Sequence, residues 1–161
     1  MTDDEWMDRA IALARTKGSD PAQTPIAAVI VRDGAELAHG VNLTAETCDA
    51  TAHAEIVAIR AAGEAAHAMR IEGATLYSTL QPCGMCTMAS IWAGVSRIVY
   101  GAGRDDVHKM YFEDRNLGAM DFVADAWKDD LTLTGGVRRA ECASLYYGPG
   151  DDVPEEKQAN D

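Results

Sequence analysis

The hydrophobic pattern at the start of the chain predicts a helix followed by a β-hairpin. Apolar residues recur at helical spacing behind Thr2 and Glu5, which form a capping-box pattern. Residues 26–31 are an apolar run rich in β-branched side chains, which is typical of a buried strand. A tight-turn dipeptide follows, so residues 35–41 are predicted to pair antiparallel with this strand.

The middle of the chain predicts a strand–helix–strand unit. After a helix over residues 51–66, the pattern indicates a strand over 73–80, a second helix over 83–93 and a further strand over 97–100. Strands joined in this way run parallel with a right-handed connection. Ligands of such sheets bind beyond the carboxyl ends of the strands, and the start of the second helix is predicted to lie there.

The last third of the chain has a weaker pattern. A fifth strand is predicted over residues 131–134 and a final helix over 137–147. Residues 149–161 are acidic and show no apolar periodicity. We therefore predict a single domain over residues 1–148, long enough to bury a core, and a disordered acidic tail over residues 149–161.

Two short clusters of residues carry the candidate chemistry. His53 and Glu55 lie at the start of the first central helix, and Cys83 and Cys86 lie at the start of the second. Imidazole and thiolate are ligands that zinc prefers, and a catalytic zinc site uses three protein ligands and leaves the fourth position to water. The sequence therefore predicts zinc bound by His53, Cys83 and Cys86, with Glu55 transferring protons beside it.

Two other interpretations of these clusters remain open. A zinc ion that only stabilises the fold usually takes four protein ligands, and no fourth ligand is evident, since Cys48 and Cys142 are interpreted as free thiols. A zinc-bound module that binds a partner without catalysis is the other alternative. Proton transfer by Glu55 distinguishes an enzyme from a structural zinc site and from a non-catalytic binding module.

The spacing H-x-E followed by P-C-x-x-C is typical of zinc deaminases. Over residues 3–147 the chain resembles the cytidine/deoxycytidylate deaminase superfamily, in particular the branch of guanine deaminases, cytosine deaminases and tRNA adenosine deaminases. The resemblance implies a cytidine deaminase-like α/β fold, a three-layer α/β/α sandwich around a mixed five-stranded sheet. It also implies zinc as the cofactor, water as co-substrate and a homodimer.

The resemblance further implies roles for individual residues. Zinc activates water, Glu55 carries protons to a ring nitrogen and to the leaving amine, and ammonia is released. Asn42, at the end of the second strand, matches an asparagine that hydrogen-bonds the substrate base, and the backbone N–H of Ala54 contacts the substrate carbonyl. The alternative for Asn42 is a turn residue that satisfies local backbone groups.

Two matches favour guanine as the substrate. Ile91-Trp92-Ala93 resembles a segment that follows the cysteine pair in guanine deaminases, so Trp92 is predicted to bind substrate. Asp114 matches an acid that serves those enzymes as a second proton carrier, although Glu113 departs from their pattern. The alternatives are core packing for Trp92, a solvated acid for Asp114, and cytosine or another small amino-heterocycle as the substrate.

The charge of the chain argues against a nucleic-acid substrate. It has 14 basic and 26 acidic residues and a formal net charge of −12, whereas phosphate contacts need clustered Lys and Arg. Deamination of adenosine in tRNA is therefore the less favoured alternative to a free nucleobase. No apolar stretch has the length of a membrane span or the pattern of a signal peptide, so we expect a cytoplasmic protein without membrane contact.

Overall fold

The computed structural model describes residues 1–112, 121, 123 and 131–157. Its strands form one mixed sheet in the order β2-β1-β3-β4-β5. The strands β2 and β3 pair antiparallel with β1, while β4 runs parallel to β3 and β5 runs parallel to β4. Their bounds are Ala27–Arg32 for β1, Ala35–Val41 for β2, Thr75–Leu80 for β3, Arg97–Ala102 for β4 and Thr132–Thr134 for β5. The predicted mixed five-stranded sheet is confirmed.

Helices cover both faces of this sheet. Because side chains alternate along a strand, Val29 and Val31 of β1 contribute to one apolar cluster, and Ala28 and Ile30 contribute to the other. The first cluster includes the apolar face of α1, and the second includes that of α3. The sandwich therefore has three layers. The helices are α1 (Asp3–Arg15), α2 (Thr44–Thr47), α3 (Ala54–Ala66), α4 (Gly84–Ala93) and α5 (Arg139–Ala143).

Local signals explain the elements near the N-terminus. The Thr2 hydroxyl accepts from the Glu5 N–H at 3.3 Å, and the Glu5 carboxylate accepts from the Thr2 N–H at 2.7 Å, so the predicted capping box begins α1. Between β1 and β2, Asp33 and Gly34 have φ values of 55° and 75°. Two positive φ values in a two-residue loop match the twist of a hairpin, as predicted.

The C-terminal region differs from the prediction in two places. The final helix covers only Arg139–Ala143: Arg138 adopts a left-handed conformation with φ 54° directly before it, and the chain turns at Ser144 directly after it. Val153 lies in the segment predicted to be a disordered tail, yet it is only 6% exposed and packs in the first apolar cluster. The described part of that segment ends with a short 3-10 turn over Glu155–Lys157, and residues 158–161 lie outside the described residues.

The β3-α4-β4 unit places the start of α4 beyond the carboxyl end of β3. Pairs such as Leu76 with Ile98 and Leu80 with Ala102 show that β3 and β4 run parallel, as predicted. Among the described residues, no helix combines the length and the apolar character that crossing a membrane requires.

Candidate active site

Two candidate metal ligands stand immediately before helices. His53 is the N-cap of α3 and Cys83 is the N-cap of α4, and both have extended backbones with ψ values of 153° and 174°. Neither side chain makes a capping hydrogen bond. Two helix N-termini therefore converge on one point, where their partial positive charges favour anionic groups such as thiolate or hydroxide.

The three predicted ligands lie close together. The His53 Nδ1 is 3.7 Å from the Cys83 Sγ and 3.6 Å from the Cys86 Sγ, and the three ligand atoms all lie within 4.8 Å of one another. Ligand atoms roughly 2.0–2.3 Å from a tetrahedral zinc are themselves about 3.3–3.8 Å apart. The donor atoms and their spacing fit zinc.

The same group has room for a fourth position. No other His, Cys, Asp or Glu within the described ranges belongs to it. Cys48 is exposed, and Cys142 is buried in the first apolar cluster. Three protein ligands are the arrangement of a catalytic zinc, whereas a structural zinc takes four.

The carboxyl group of Glu55 lies beside the metal ligands. Glu55 is only 4% exposed, its Oε1 accepts a hydrogen bond from the Ser78 hydroxyl at 3.2 Å, and its Oε2 is 3.5 Å from the Cys86 Sγ. Burial, followed by the nearby charge of Cys83, raises the pKa of Glu55 above its ordinary value. A carboxyl group of raised pKa next to a metal site is suited to taking up and releasing protons.

The two thiols share a negative charge. The hydrogen bond from Cys86, and then that from His53, lower the pKa of Cys83 to about 4. The same pairing and burial raise the pKa of Cys86. Cys83 is therefore a thiolate at neutral pH, and binding of a cation such as zinc is expected to release the proton of Cys86 as well.

A cavity of about 400 Å³ opens beside His53. This volume lies in the range of small-molecule sites. Small and aliphatic side chains supply much of its lining, with Asn42 as the amide among them. The described lining residues are Thr24, Ile26, Asn42, Thr44, Ala45, Ala50, His53 and Tyr111.

Asn42 lines this cavity, and Ala54 follows His53, which lines it too. The Asn42 Nδ2 donates to the Thr24 hydroxyl at 2.7 Å and to the Thr44 hydroxyl at 3.2 Å, which makes the amide oxygen the atom that Asn42 can offer to a ligand. Ala54 is fully buried next to His53 in the first turn of α3. N–H groups in the first turn have no partner within the helix, so the Ala54 N–H is a candidate donor.

The structure does not bring Trp92 to this cavity in its own chain. Trp92 lies near the end of α4, nine residues after Cys83, and a helix rises about 1.5 Å per residue. Cys86 and Ala93 face the protein interior, whereas Trp92 is 74% exposed on another side of the helix. The predicted contact between Trp92 and substrate therefore has no support within one chain. The other residue taken to favour guanine, Asp114, lies outside the described residues.

Tyr111 and Thr24 were not predicted as site residues. Tyr111 reaches the cavity from a 3-10 turn (Lys109–Tyr111) that follows β4, and Thr24 reaches it from the loop before β1. The one available signal for Tyr111 was its place after the last strand of the parallel unit, on the side where ligands of such sheets bind.

Known proteins with similar sequences include deaminases with different substrates. A tRNA-specific adenosine deaminase from Agrobacterium fabrum is 46% identical over 97 residues, which are 60% of this chain and 63% of that protein. This chain thus matches less than two thirds of that relative. A guanine deaminase from Bacillus subtilis is 36% identical over 114 residues, which are 71% of this chain and 73% of that protein.

A solved structure and a family model also relate this chain to deaminases. The structure of NE0047 in complex with 2,6-diaminopurine has a TM-score of 0.77 and 26% identity, covering 89% of this chain and 79% of that chain. Residues 1–102, which include every candidate metal ligand, match the model of the cytidine and deoxycytidylate deaminase zinc-binding region. The cofactor is accordingly zinc, and the chain belongs to the cytidine and deoxycytidylate deaminase family.

Proposed function

We propose that the protein is a zinc-dependent hydrolytic deaminase of a free aminated nucleobase, with guanine as the first candidate. The observation that carries the proposal is the buried carboxyl group of Glu55 beside a three-ligand metal group, one member of which, His53, lines a cavity of about 400 Å³. When bound, zinc lowers the pKa of water toward neutrality and stabilises negative charge on oxygen.

Glu55 moves the protons of this reaction. Hydrolytic deamination transfers a proton from water to a ring nitrogen and then protonates the amine that leaves as ammonia. The raised pKa of Glu55 lets its carboxyl group take up the first proton and return it later. The Ser78 hydroxyl, which donates to Oε1 at 3.2 Å, orients the carboxyl group between these transfers.

Asn42 and the Ala54 N–H recognise the polar edge of the base. The Thr24 and Thr44 hydroxyls hold the Asn42 amide so that its oxygen can accept from a ring N–H. The Ala54 N–H then donates to a substrate carbonyl oxygen. Guanine offers both a donor and an acceptor on adjacent atoms, and a site built for them rejects bases that leave its polar groups unpaired.

Two observations support a small substrate. The cavity has the volume of a small-molecule site, and the net charge of −12 disfavours the approach of a polyanion. The guanine deaminase from Bacillus subtilis and the complex of NE0047 with 2,6-diaminopurine support an aminated purine.

Deamination of adenosine in tRNA is the second candidate function. It is favoured by the 46% identity with the tRNA-specific adenosine deaminase from Agrobacterium fabrum. Such an enzyme needs basic groups that contact phosphates, and its RNA binding weakens steeply with salt.

One experiment tests both candidates. Purified protein of known zinc content is given guanine, cytosine, adenine, their nucleosides and an anticodon stem-loop RNA, and ammonia release is measured for each. We expect guanine to have the highest kcat/KM and the RNA to bind weakly. Preference for cytosine would move the assignment to a pyrimidine base, and tight, salt-sensitive binding and deamination of the RNA would support the second candidate.

A further inference from the structure

The ring of Tyr111 is held in a fixed position at the candidate cavity. Its ring packs against that of Tyr146 in a T-shaped arrangement, with ring centroids 5.1 Å apart and planes at 65°. Tyr146 is itself anchored, because its hydroxyl lies 2.6 Å from that of Thr79 on β3. A ring held by a second, anchored ring has little freedom to leave the cavity wall.

The Tyr111 hydroxyl is occupied by backbone groups. It donates to the carbonyl oxygen of Pro21 at 3.1 Å and accepts from the N–H of Tyr147 at 3.2 Å. Burial also raises the pKa of Tyr111 to about 12, so the phenol is neutral at physiological pH. Both roles of the hydroxyl are thus satisfied within the protein, so the part of Tyr111 that remains for a ligand in the cavity is its ring.

The ring is the largest flat surface among the described lining residues that do not bind metal. The other such residues are threonines, alanines, Ile26 and Asn42. Flat heteroaromatic bases stack on aromatic rings, and each such contact contributes about 1–3 kcal/mol in nucleic-acid-binding proteins. We infer that Tyr111 is the residue that binds the face of the substrate base and favours a purine over a smaller ring.

The Tyr111 hydroxyl has a separate, positioning role. Pro21 begins the 3-10 turn that leads to Thr24, and Thr24 accepts a hydrogen bond from the Asn42 amide. The hydroxyl therefore ties the ring to the loop that orients Asn42. Through this link, the residue that contacts the face of the base also positions the residue that recognises its edge.

Removal of the ring is the direct test. Tyr111→Leu and Tyr111→Met both take away the flat face, and two variants are made so that the measurement survives if one of them fails to fold. We expect KM for the preferred purine to rise roughly 10- to 100-fold with kcat reduced less than about threefold. The rise in KM should be smaller for a pyrimidine, because a smaller ring overlaps less with Tyr111.

Two further variants separate the ring from the hydroxyl. Tyr111→Phe restores the ring and should recover most of the affinity for the base, while its midpoint of thermal unfolding falls because two hydrogen bonds are lost. Tyr147→Leu is the matched control, since it makes the same side-chain change next to Tyr146 but keeps the backbone N–H that donates to Tyr111. KM in this control should stay near that of the wild type.

The outcomes distinguish this inference from the proposed function on which it rests. The variants are assayed on whichever base, nucleoside or RNA the wild type prefers, so a substrate other than guanine contradicts the proposed function and still tests Tyr111. An unchanged KM in a folded, zinc-containing Leu or Met variant would overturn the inference. Equal losses in the Phe and Leu variants would also overturn it, because the hydroxyl and not the ring would then determine binding.

Discussion

At the scale of single residues, the candidate site depends on burying a carboxyl group among polar partners. An isolated buried carboxylate is costly, and Glu55 is tolerated because Ser78 donates to it and because protonation is available to it. The residue at this position therefore lowers the stability of the fold when it is ionised, a cost that the proposed proton transfer would explain. Such a trade is characteristic of functional positions.

Replacement of Glu55 tests this chemistry. Glu55→Gln should keep the fold and the zinc, because the amide has the same shape, while turnover falls by about 10²–10⁴ because an amide cannot transfer protons. Ser78→Ala is the control, since it removes one hydrogen bond to the carboxyl group and should cost about tenfold or less. Ammonia release and elemental analysis measure the two properties. A loss of only about tenfold in a zinc-containing Glu55→Gln variant would contradict proton transfer by Glu55.

At the scale of elements, α1 is attached to the sheet by a polar contact near its first turn. The Asp3 carboxylate accepts hydrogen bonds from the Arg97 guanidinium at 2.8 and 2.6 Å, and from the Tyr77 hydroxyl at 2.8 Å. The hydrogen bonds from Arg97 are the main reason that the pKa of Asp3 lies below its usual value of 3.8. The contact joins the start of α1 to β3 and β4.

The pH dependence of stability follows from the sign of this shift. A carboxyl group with a lowered pKa in the folded state stabilises the fold above its unfolded pKa, and this stabilisation is lost as the pH falls through its folded pKa. Asp3→Asn should therefore lower the midpoint of thermal unfolding at pH 7 by about 2–4 °C. The difference from the wild type should shrink below about pH 4.

Asp4→Asn is the matched control for this prediction. Asp4 is exposed, is adjacent in sequence and lies in the same first turn of α1, so the change in charge near the helix terminus is the same. Its substitution should have a much smaller effect at either pH. Equal effects of the two substitutions, measured by circular dichroism during heating, would show that the helix terminus and not the contact with Arg97 is responsible.

At the scale of the whole molecule, the exposed face near the end of α4 carries a large apolar side chain. Trp92 is 74% exposed, and its carbonyl oxygen accepts from Arg70 at 3.2 Å. An exposed tryptophan is uncommon on a monomer and common at protein interfaces. We therefore expect Trp92 to lie in the interface of the homodimer predicted from the sequence.

Substitution of Trp92 tests the homodimer. Trp92→Ser changes a surface residue, so the free energy of unfolding of a single chain should change by less than about 0.5 kcal/mol. We expect the wild type to have the mass of a dimer by light scattering during size-exclusion chromatography, and the variant to shift toward the monomer. A monomeric wild type at all concentrations, or a variant with an unchanged dimer, would contradict this role.

The sequence predicted the parts of the molecule that periodic patterns and short spacings determine. Apolar runs and turn signals predicted the strands, and a capping box predicted α1. The positions of His53, Cys83 and Cys86 at the starts of two helices predicted that they lie together. The contact of Trp92 with substrate stays a prediction, because similarity within a short segment does not determine which side of a helix faces the cavity. The place of Tyr111 at the cavity was not predicted, because hydrogen bonds between distant loops bring it there. The burial of Val153 was not predicted either, because one apolar residue among polar ones forms no periodic pattern.

One residue of the cavity wall lies outside the segment that contains the metal ligands, and this has an evolutionary consequence. The metal ligands and Glu55 lie within residues 1–102, which match the family model, whereas Tyr111 lies beyond that match. Mutation of Tyr111 can therefore alter the cavity wall without changing the segment that holds the metal ligands and Glu55. Divergence at such a position would change which base fits the cavity while the metal ligands stay the same, and relatives named for guanine and for tRNA adenosine both occur among the proteins similar to this chain.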